Sequence, residues 1–230
     1  MKALFYNLAW EASLGMIHAD PLYPVTNIRH AFLKKVCKST ENTDTIEMSF
    51  AADRSIDSIY IGYTNAISIH AELYNASSTL LYECDVPIAT LAINFPIVSG
   101  VRSVYFEIQA LTDIYIGAIG IGIAYEMPSP VHDWVPNFID NSNESVSSDG
   151  QYLKNYVSPL AKYEMNFVVK GIDTFNEIRS LILSIERPIF IDLFEERRET
   201  VKPLYGIISM KPNAKSYNTF RFSLTITEAR

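Results

Sequence analysis

Four histidines are the side chains in this sequence best suited to metal binding or proton transfer: His18, His30, His70 and His132. None is spaced from another histidine, or from a cysteine, in the way that zinc ligands are spaced. His70 falls at an outward position of a predicted strand. The sequence therefore predicts no metal site and no cofactor.

The sequence gives little indication of acid–base catalysis or of phosphate binding. Glu107 is the most site-like acid, but a glycosidase needs two carboxylates about 5–10 Å apart in space, and the outward parity of Glu107 favours a solvated face. Neither a GxSxG elbow nor a P-loop is present. Gly117, Gly120 and Gly122 superficially match a phosphate loop, yet they lie in a β run where that loop needs a helix N-terminus. We expect no catalytic residue, and an enzyme is the least favoured class.

Two tryptophans are the candidate contacts for a glycan or a protein partner. Trp134 lies outside the predicted strands, so it either covers the edge of a sandwich or stacks on a sugar or partner. Trp10 is the weaker candidate of the same kind.

Composition limits the class of protein. The chain has 230 residues, 48% hydrophobic residues, a net charge of −7 and a pI near 5.1. That charge argues against nucleic acid as a partner. The longest apolar run, Ile114 to Tyr125, is too short for membrane insertion, and the N-terminus has no signal-peptide pattern. Cys37 and Cys84 are expected to be buried free thiols in a reducing, cytosolic compartment.

The stretch 101–127 organises the predicted fold. Val104 and Phe106 alternate with polar residues, as in a strand with one buried face. After a break at Leu111–Asp113, the apolar parity flips at Gly117, which predicts a β-bulge in the second strand of a hairpin. The smooth face at Gly120 and Gly122 suits close packing by another backbone.

Earlier strands of the same rhythm extend this pattern. Alternating segments begin at Thr45 and are separated by predicted turns at Asp53–Arg54, Thr64–Asn65 and 75–78. Strands at about 8–12-residue spacing are typical of an antiparallel sandwich.

The last 80 residues have a different order of elements. A strand at 163–169 precedes a helix with a predicted capping box at Thr174–Glu177. Ile189 to Phe194 reads as a buried strand, Lys211 to Ser216 as a loop, and 220–226 as the final strand. The predicted fold class is mainly β, with an N-terminal antiparallel β-sandwich (jelly roll) at 1–130, a linker at 131–155, and an α+β domain at 156–230 with one helix on an antiparallel sheet.

Three segments of the first 130 residues carry a resemblance to a known fold. They are Tyr23–Ile28, Ile59–Asn65, and Val101–Ile108 leading into Ile119–Gly122. In pattern and order they resemble the galactose-binding-like (discoidin-type) jelly roll found in many phage virion proteins. The last 80 residues, through Ile189–Phe194 and Phe220–Glu228, resemble small α+β domains of phage tail and baseplate proteins.

The resemblance implies a non-enzymatic structural or adaptor component of a bacteriophage virion, in the tail, baseplate or neck. Its partners would be other virion proteins, with a homo-oligomeric ring as the expected assembly. The protein would be assembled in the host cytoplasm and located in the virion. The alternative function is a carbohydrate-binding module that uses the jelly roll to recognise a host surface glycan.

Overall fold

A computed structural model describes residues 1–30, 33–131, 135–139, 143–146, 152–155, 160–193, 203–216 and 218–229. The chain forms two compact units. The first combines Met1–Met127 with Ile189–Tyr205, and the second combines Pro128–Pro188 with Gly206–Arg230. The stretch 131–155, predicted as a linker, contains three short strands.

The described strands and the α-helix, in chain order, are β1 (Lys2–Leu4), β2 (Ser13–Met16), β3 (Cys37–Lys38), β4 (Thr43–Thr64), β5 (Ala66–Tyr74), β6 (Leu80–Asp85), β7 (Ala92–Ala110), β8 (Tyr115–Gly122), β9 (Tyr125–Glu126), β10 (Val135–Ile139), β11 (Asn143–Val146), β12 (Tyr152–Asn155), β13 (Leu160–Lys170), α1 (Ile172–Leu183), β14 (Ile189–Asp192), β15 (Leu204–Ser216) and β16 (Thr219–Glu228). Two 3-10 helices, Leu8–Trp10 and Val25–Arg29, lie between strands of the first unit. The predicted fold class, a mainly β chain with antiparallel sheets and one α-helix, is confirmed for the described residues.

Two long strands build the sandwich of the first unit. The first half of β4 pairs with β2 and with the second half of β7, whereas its second half pairs with β8 and with the first half of β7. The register shifts where the two halves meet, near Arg54. Alternating residues such as Ile46 and Met48 are fully buried and face the same core as Ile59 and Ile119.

The predicted turn at Asp53–Arg54 is therefore wrong. The backbone bends there through a register irregularity and continues as one strand. A bulge keeps the period-2 alternation on both sides of a bend, so the sequence pattern of one bent strand resembles that of two strands.

The predicted hairpin within 101–127 is also wrong. The break at Leu111–Asp113 does separate β7 from β8, but β8 pairs with β3 and β4 and not with β7. The predicted bulge at Gly117 is absent too, because the pairing of β8 with β4 runs from Gly122 to Ile116 without a register shift. The apolar parity flips because β8 is buried on both of its faces.

The glycines of β8 allow other chain segments to approach this strand closely. A Cβ atom added to Gly117 would overlap the carbonyl oxygen of Leu33, and one added to Gly120 would overlap the ring of Phe190. A Cβ on Gly122 would lie 2.9 Å from the carbonyl oxygen of Tyr6. The expected packing of another backbone against the face of Gly120 and Gly122 is confirmed at Gly122.

Asn7 completes the hydrogen bonding of β8 beyond the end of β3. Its side-chain Nδ2 donates to the carbonyl of Ile119 at 2.8 Å, and its Oδ1 accepts from the amide of Ile121 at 3.0 Å. Asn7 is itself buried. A buried amide side chain thus replaces a neighbouring strand and leaves these backbone groups satisfied.

The second unit places α1 on a sheet in which β13 and β15 flank β16, with β10 outside β13. Phe175 of α1 stacks on Phe220 of β16 with ring centroids 4.9 Å apart. The predicted loop at Lys211–Ser216 is wrong, since these residues extend β15 through a bulge at Asn213.

The predicted capping box at Thr174 is wrong as well. The helix begins at Ile172 with Gly171 as its N-cap and no side-chain cap. Gly171 has φ 89°, a conformation that glycine adopts without the cost borne by other residues, so the chain turns directly from β13 into α1. Phe175, Ile178 and Ile182 form the buried face of the helix.

No helix in the described ranges is long and apolar enough to cross a membrane.

Gly117→Ala tests the close approach to β8. The added methyl group has to displace the backbone of Leu33, so we expect the free energy of unfolding to fall by about 1–3 kcal/mol. Gly15→Ala is the matched control, because its added Cβ would lie 3.8 Å from the nearest atom, Glu47 Cβ. Urea unfolding of both variants measures the difference, and equal stabilities would contradict this packing.

Candidate functional site

Tyr63 is one of three non-glycine residues with a positive φ in the described part of the first unit, together with Ser78 and Leu91. Its φ is 54°, in the left-handed region, and 49% of its surface is exposed. A bulky residue in this region costs about 1–2 kcal/mol, and such residues persist where the surroundings fix them, often at binding sites. Tyr63 is therefore a candidate contact residue.

A second tyrosine lies against it. The ring centroids of Tyr63 and Tyr115 are 5.3 Å apart, with an interplanar angle of 34°. The Thr64 hydroxyl donates to the carbonyl of Tyr115 at 2.9 Å, and the Tyr115 amide donates to Asn65 Oδ1 at 2.9 Å. Both backbone groups of Tyr115 are thus held by the two residues that follow Tyr63, which fixes the ring pair before any ligand arrives.

Lys38 and Tyr23 extend the ring pair across β3. Lys38 is the cross-strand partner of Tyr115, and its Nζ lies 4.0 Å from the ring centroid of Tyr23. The Lys38 amide also donates to the Tyr23 carbonyl at 3.0 Å. We call these four residues, Tyr23, Lys38, Tyr63 and Tyr115, the tyrosine–lysine surface.

Asp44 fixes the loops that carry one end of this surface. It is buried, and its Oδ2 accepts from the Ser39 hydroxyl at 2.7 Å and from the His18 amide at 3.1 Å. The Thr40 amide donates to the His18 carbonyl at 2.9 Å. These bonds join the segment before Tyr23 to the segment after Lys38.

The tyrosine–lysine surface has the chemistry of a sugar-binding platform. Partly exposed phenol rings offer a flat apolar face with a polar hydroxyl at the edge, and such rings contribute binding energy at low entropic cost. The ammonium group of Lys38 adds a charged donor with three hydrogens.

Only one of the two sequence-predicted contact residues, Trp10, falls within the described part of the chain. Trp134 and His132 fall outside the described residues. Trp10 ends a 3-10 helix and is half-buried, so its role in glycan or partner contact stays a prediction. Glu107 is exposed on the outer face of β7, as the strand alternation predicted.

The two cysteines are free, as expected. Cys37 is buried, and burial raises the pKa of its thiol to about 12. Cys84 is only partly buried, and the same desolvation raises its pKa to about 11. Neither thiol is an activated nucleophile.

Acidic residues surround His70 on the outer face of β5 and β6. Its Nδ1 lies 2.7 Å from Asp85 Oδ1, and its Nε2 lies 3.9 Å from Glu83 Oε2. One ligand atom each of His70, Glu72 and Glu83 lie within 4.8 Å of one another. The hydrogen bond to Asp85 is the main cause of the raised pKa of His70, so we interpret this group as an ion-pair network.

Sequence reasoning missed Tyr63, Tyr115 and Lys38 as site residues. Tyr63 precedes Thr64–Asn65, a turn-forming pair, and this was the available signal. The sequence pattern could not show that Tyr115 and Lys38 lie next to Tyr63. Their proximity depends on the pairing of β8 with β3 and β4.

Comparison with known proteins identifies no sequence family. No protein-family model and no curated protein match the chain. Among solved structures, it is similar to a mutant of the lectin-binding domain of Lectinolysin complexed with Lewis b, at 11% identity and a TM-score of 0.43 over 50% of this chain and 94% of that one. A fucose-binding module of Streptococcus pneumoniae has 11% identity and a TM-score of 0.44, with 53% and 99% covered.

A chitosan-binding module from a chitosanase/glucanase of Paenibacillus sp. IK-5 has 12% identity and a TM-score of 0.42, with 50% of this chain and 97% of that chain covered. These neighbours are carbohydrate-binding modules, but likenesses with TM-scores below 0.5 carry no argument about what this chain binds. None of the three is a phage protein, and the predicted place in a virion finds no support in them.

The His70 network predicts a pH-dependent stability. The folded protein holds the His70 proton more tightly than the unfolded chain, whose pKa is about 6.5. The network therefore stabilises the fold below about pH 6.5, and this contribution is lost as the pH rises through the higher folded pKa. His70→Gln should remove that change in urea unfolding between about pH 5.5 and 8.5. Asp85→Asn should reproduce the effect, and an unchanged profile in both variants would contradict the network.

The left-handed conformation of Tyr63 predicts an unusual order of stabilities. Asparagine tolerates positive φ and a β-branched residue does not, so Tyr63→Asn should be more stable than Tyr63→Val by about 1 kcal/mol or more. At Tyr115, which lies in an extended strand, valine should be the better replacement. Thermal and urea unfolding of the four variants checks this, and the same order at both positions would refute the strained backbone.

Proposed function

We propose that the first unit is a carbohydrate-binding module and that its tyrosine–lysine surface holds a glycan. The observation that carries this proposal is Tyr63, a half-exposed aromatic side chain kept in a left-handed conformation against Tyr115. The protein acts by binding and not by catalysis.

The rings of Tyr63 and Tyr115 contact the apolar face of a pyranose ring. Because the two ring planes are tilted by 34° with respect to one another, they can contact one face of a sugar or two adjacent sugars. Little conformational entropy is lost on binding, since Thr64 and Asn65 already fix the backbone of Tyr115.

Lys38 fixes the orientation of the sugar on the two rings. Its ammonium group lies over the Tyr23 ring, and Lys38 is the cross-strand partner of Tyr115, so a hydroxyl or carboxylate oxygen of a sugar at Tyr115 can replace the Tyr23 ring as the partner of the ammonium group. A pyranose with an equatorial hydroxyl or carboxylate at the edge of its stacked face is the ligand that this arrangement fits best.

A role in a phage virion stays a prediction from the sequence resemblance. It is compatible with glycan binding, since a virion protein with this surface would recognise a host glycan.

Glycan-array binding by the full chain tests the proposal. We expect at least one bound glycan class, with affinity reduced roughly tenfold or more by Tyr63→Ala or Tyr115→Ala, as for other central aromatic contacts. Tyr74→Ala is the matched control, because Tyr74 is a half-buried tyrosine of β5 whose hydroxyl donates to Glu72 of the same strand, and β5 pairs with neither β8 nor β4. An array without binders, or equal losses in all three variants, would refute this function.

A further inference from the structure

A cleft of about 360 Å³ opens in the second unit between α1 and the β15–β16 hairpin. Four residues of α1 line one wall: Ile172, Phe175, Asn176 and Arg179. Their spacing is i, i+3, i+4 and i+7, which is a single face of a helix. The volume is at the lower end of the range for small-molecule sites.

The charge on this cleft is opposite to that of the whole chain. The protein carries a net charge of −7, yet the lining contains Arg179 and Arg221 and no acidic residue. Asp173 and Glu177 of α1 fall off the lining face. Within the described ranges, no carboxylate lies within ion-pair distance of the Arg179 guanidinium. Arg179 is therefore available to an anion.

The floor of the cleft and part of both walls are apolar. Phe175 and Phe220 are stacked and almost fully buried, so they form the floor. The accessible apolar surface comes from Ile172, which is 44% exposed, and from Pro212. A ligand in this cleft consequently needs an apolar part of the size of one ring.

A β-bulge shapes the rim of the cleft. Asn213 is the extra residue between the paired positions Pro212 and Ala214, and its side-chain Nδ2 donates to the Ser223 hydroxyl. That hydroxyl in turn donates to Asn166 Oδ1 at 2.7 Å. The bulge is thus held by side-chain hydrogen bonds, and bulges of this kind often re-aim residues beside a binding site.

We propose that this cleft binds a small organic oxyanion, with its charged group on Arg179 and its apolar body on Ile172 and Pro212. The guanidinium offers parallel N–H donors that match a carboxylate or a phosphate ester, and the Asn176 amide adds a neutral donor one turn away. The cleft lies in the second unit, so it does not depend on the proposed glycan site.

Phenylacetate, phenyl phosphate and the neutral phenylacetamide are the probes that test this proposal. Titration of the full chain, followed by NMR, should give a Kd of about 1 mM for at least one of the two anions. Tighter binding of phenylacetate assigns the site to carboxylates, and tighter binding of phenyl phosphate assigns it to phosphate esters. Either result supports the proposal.

Arg179→Gln should weaken binding of the anion about tenfold, and Arg179→Lys by less, because the lysine keeps the charge but loses the paired donors. Lys162→Gln is the matched control, since Lys162 is a cation of β13 that pairs with Glu164 at the surface. The proposal fails if phenylacetamide binds as tightly as the anions, if neither anion binds at about 10 mM, or if Arg179→Gln binds like the wild type.

Discussion

The close approach of other chain segments to β8 is the constraint on which the first unit depends. A strand at the middle of a sandwich layer ordinarily has one buried face, but β8 is buried on both. This is possible because Gly117 and Gly120 leave room for the Leu33 backbone and the Phe190 ring. Burial of both faces accounts for the continuous apolar run in the sequence, and it fixes where the flanking segments lie.

The position of the tyrosine–lysine surface follows from this packing. The segment that contains Leu33 leads into β3, which pairs with β8 and places Lys38 beside Tyr115. The second half of β4 pairs with the other edge of β8 and carries Tyr63 next to its last residue, Thr64. A substitution that moved Leu33 away from Gly117 would therefore disturb the site as well as the core.

The alternation of apolar residues was enough to predict the antiparallel sandwich and buried side chains such as Val104 and Phe106. It could not predict which strands pair, since β7 and β8 are consecutive and yet lie apart in the sheet order. The bent strand β4 was divided in two because a bulge preserves the local period. The start of α1 was misplaced because a Gly171 N-cap leaves a weaker sequence signal than the apparent box at Thr174.

The site residues could not be predicted from the sequence for the same reason, since strand pairing decides which side chains lie together. Tryptophan and histidine were considered first because their chemistry is distinctive, whereas tyrosines are numerous in this chain and only their spatial grouping separates Tyr63 and Tyr115 from the others. Arg179 likewise could not be recognised as a site residue from the sequence, because the cleft that it lines is formed by α1 together with the bulged part of β15. Both surfaces combine an apolar area with a cation, although the two lie in different units.

Glycan binding by Tyr63 and Tyr115 is tested most directly by NMR of the full chain with ¹³C-labelled tyrosine rings. The ring signals can be assigned by single Tyr→Phe substitutions and then followed during titration with a glycan that the protein binds. We predict that the largest shifts belong to Tyr63 and Tyr115, with smaller shifts at Tyr23 and none at Tyr74. Saturable shifts confined to other tyrosines would contradict the site.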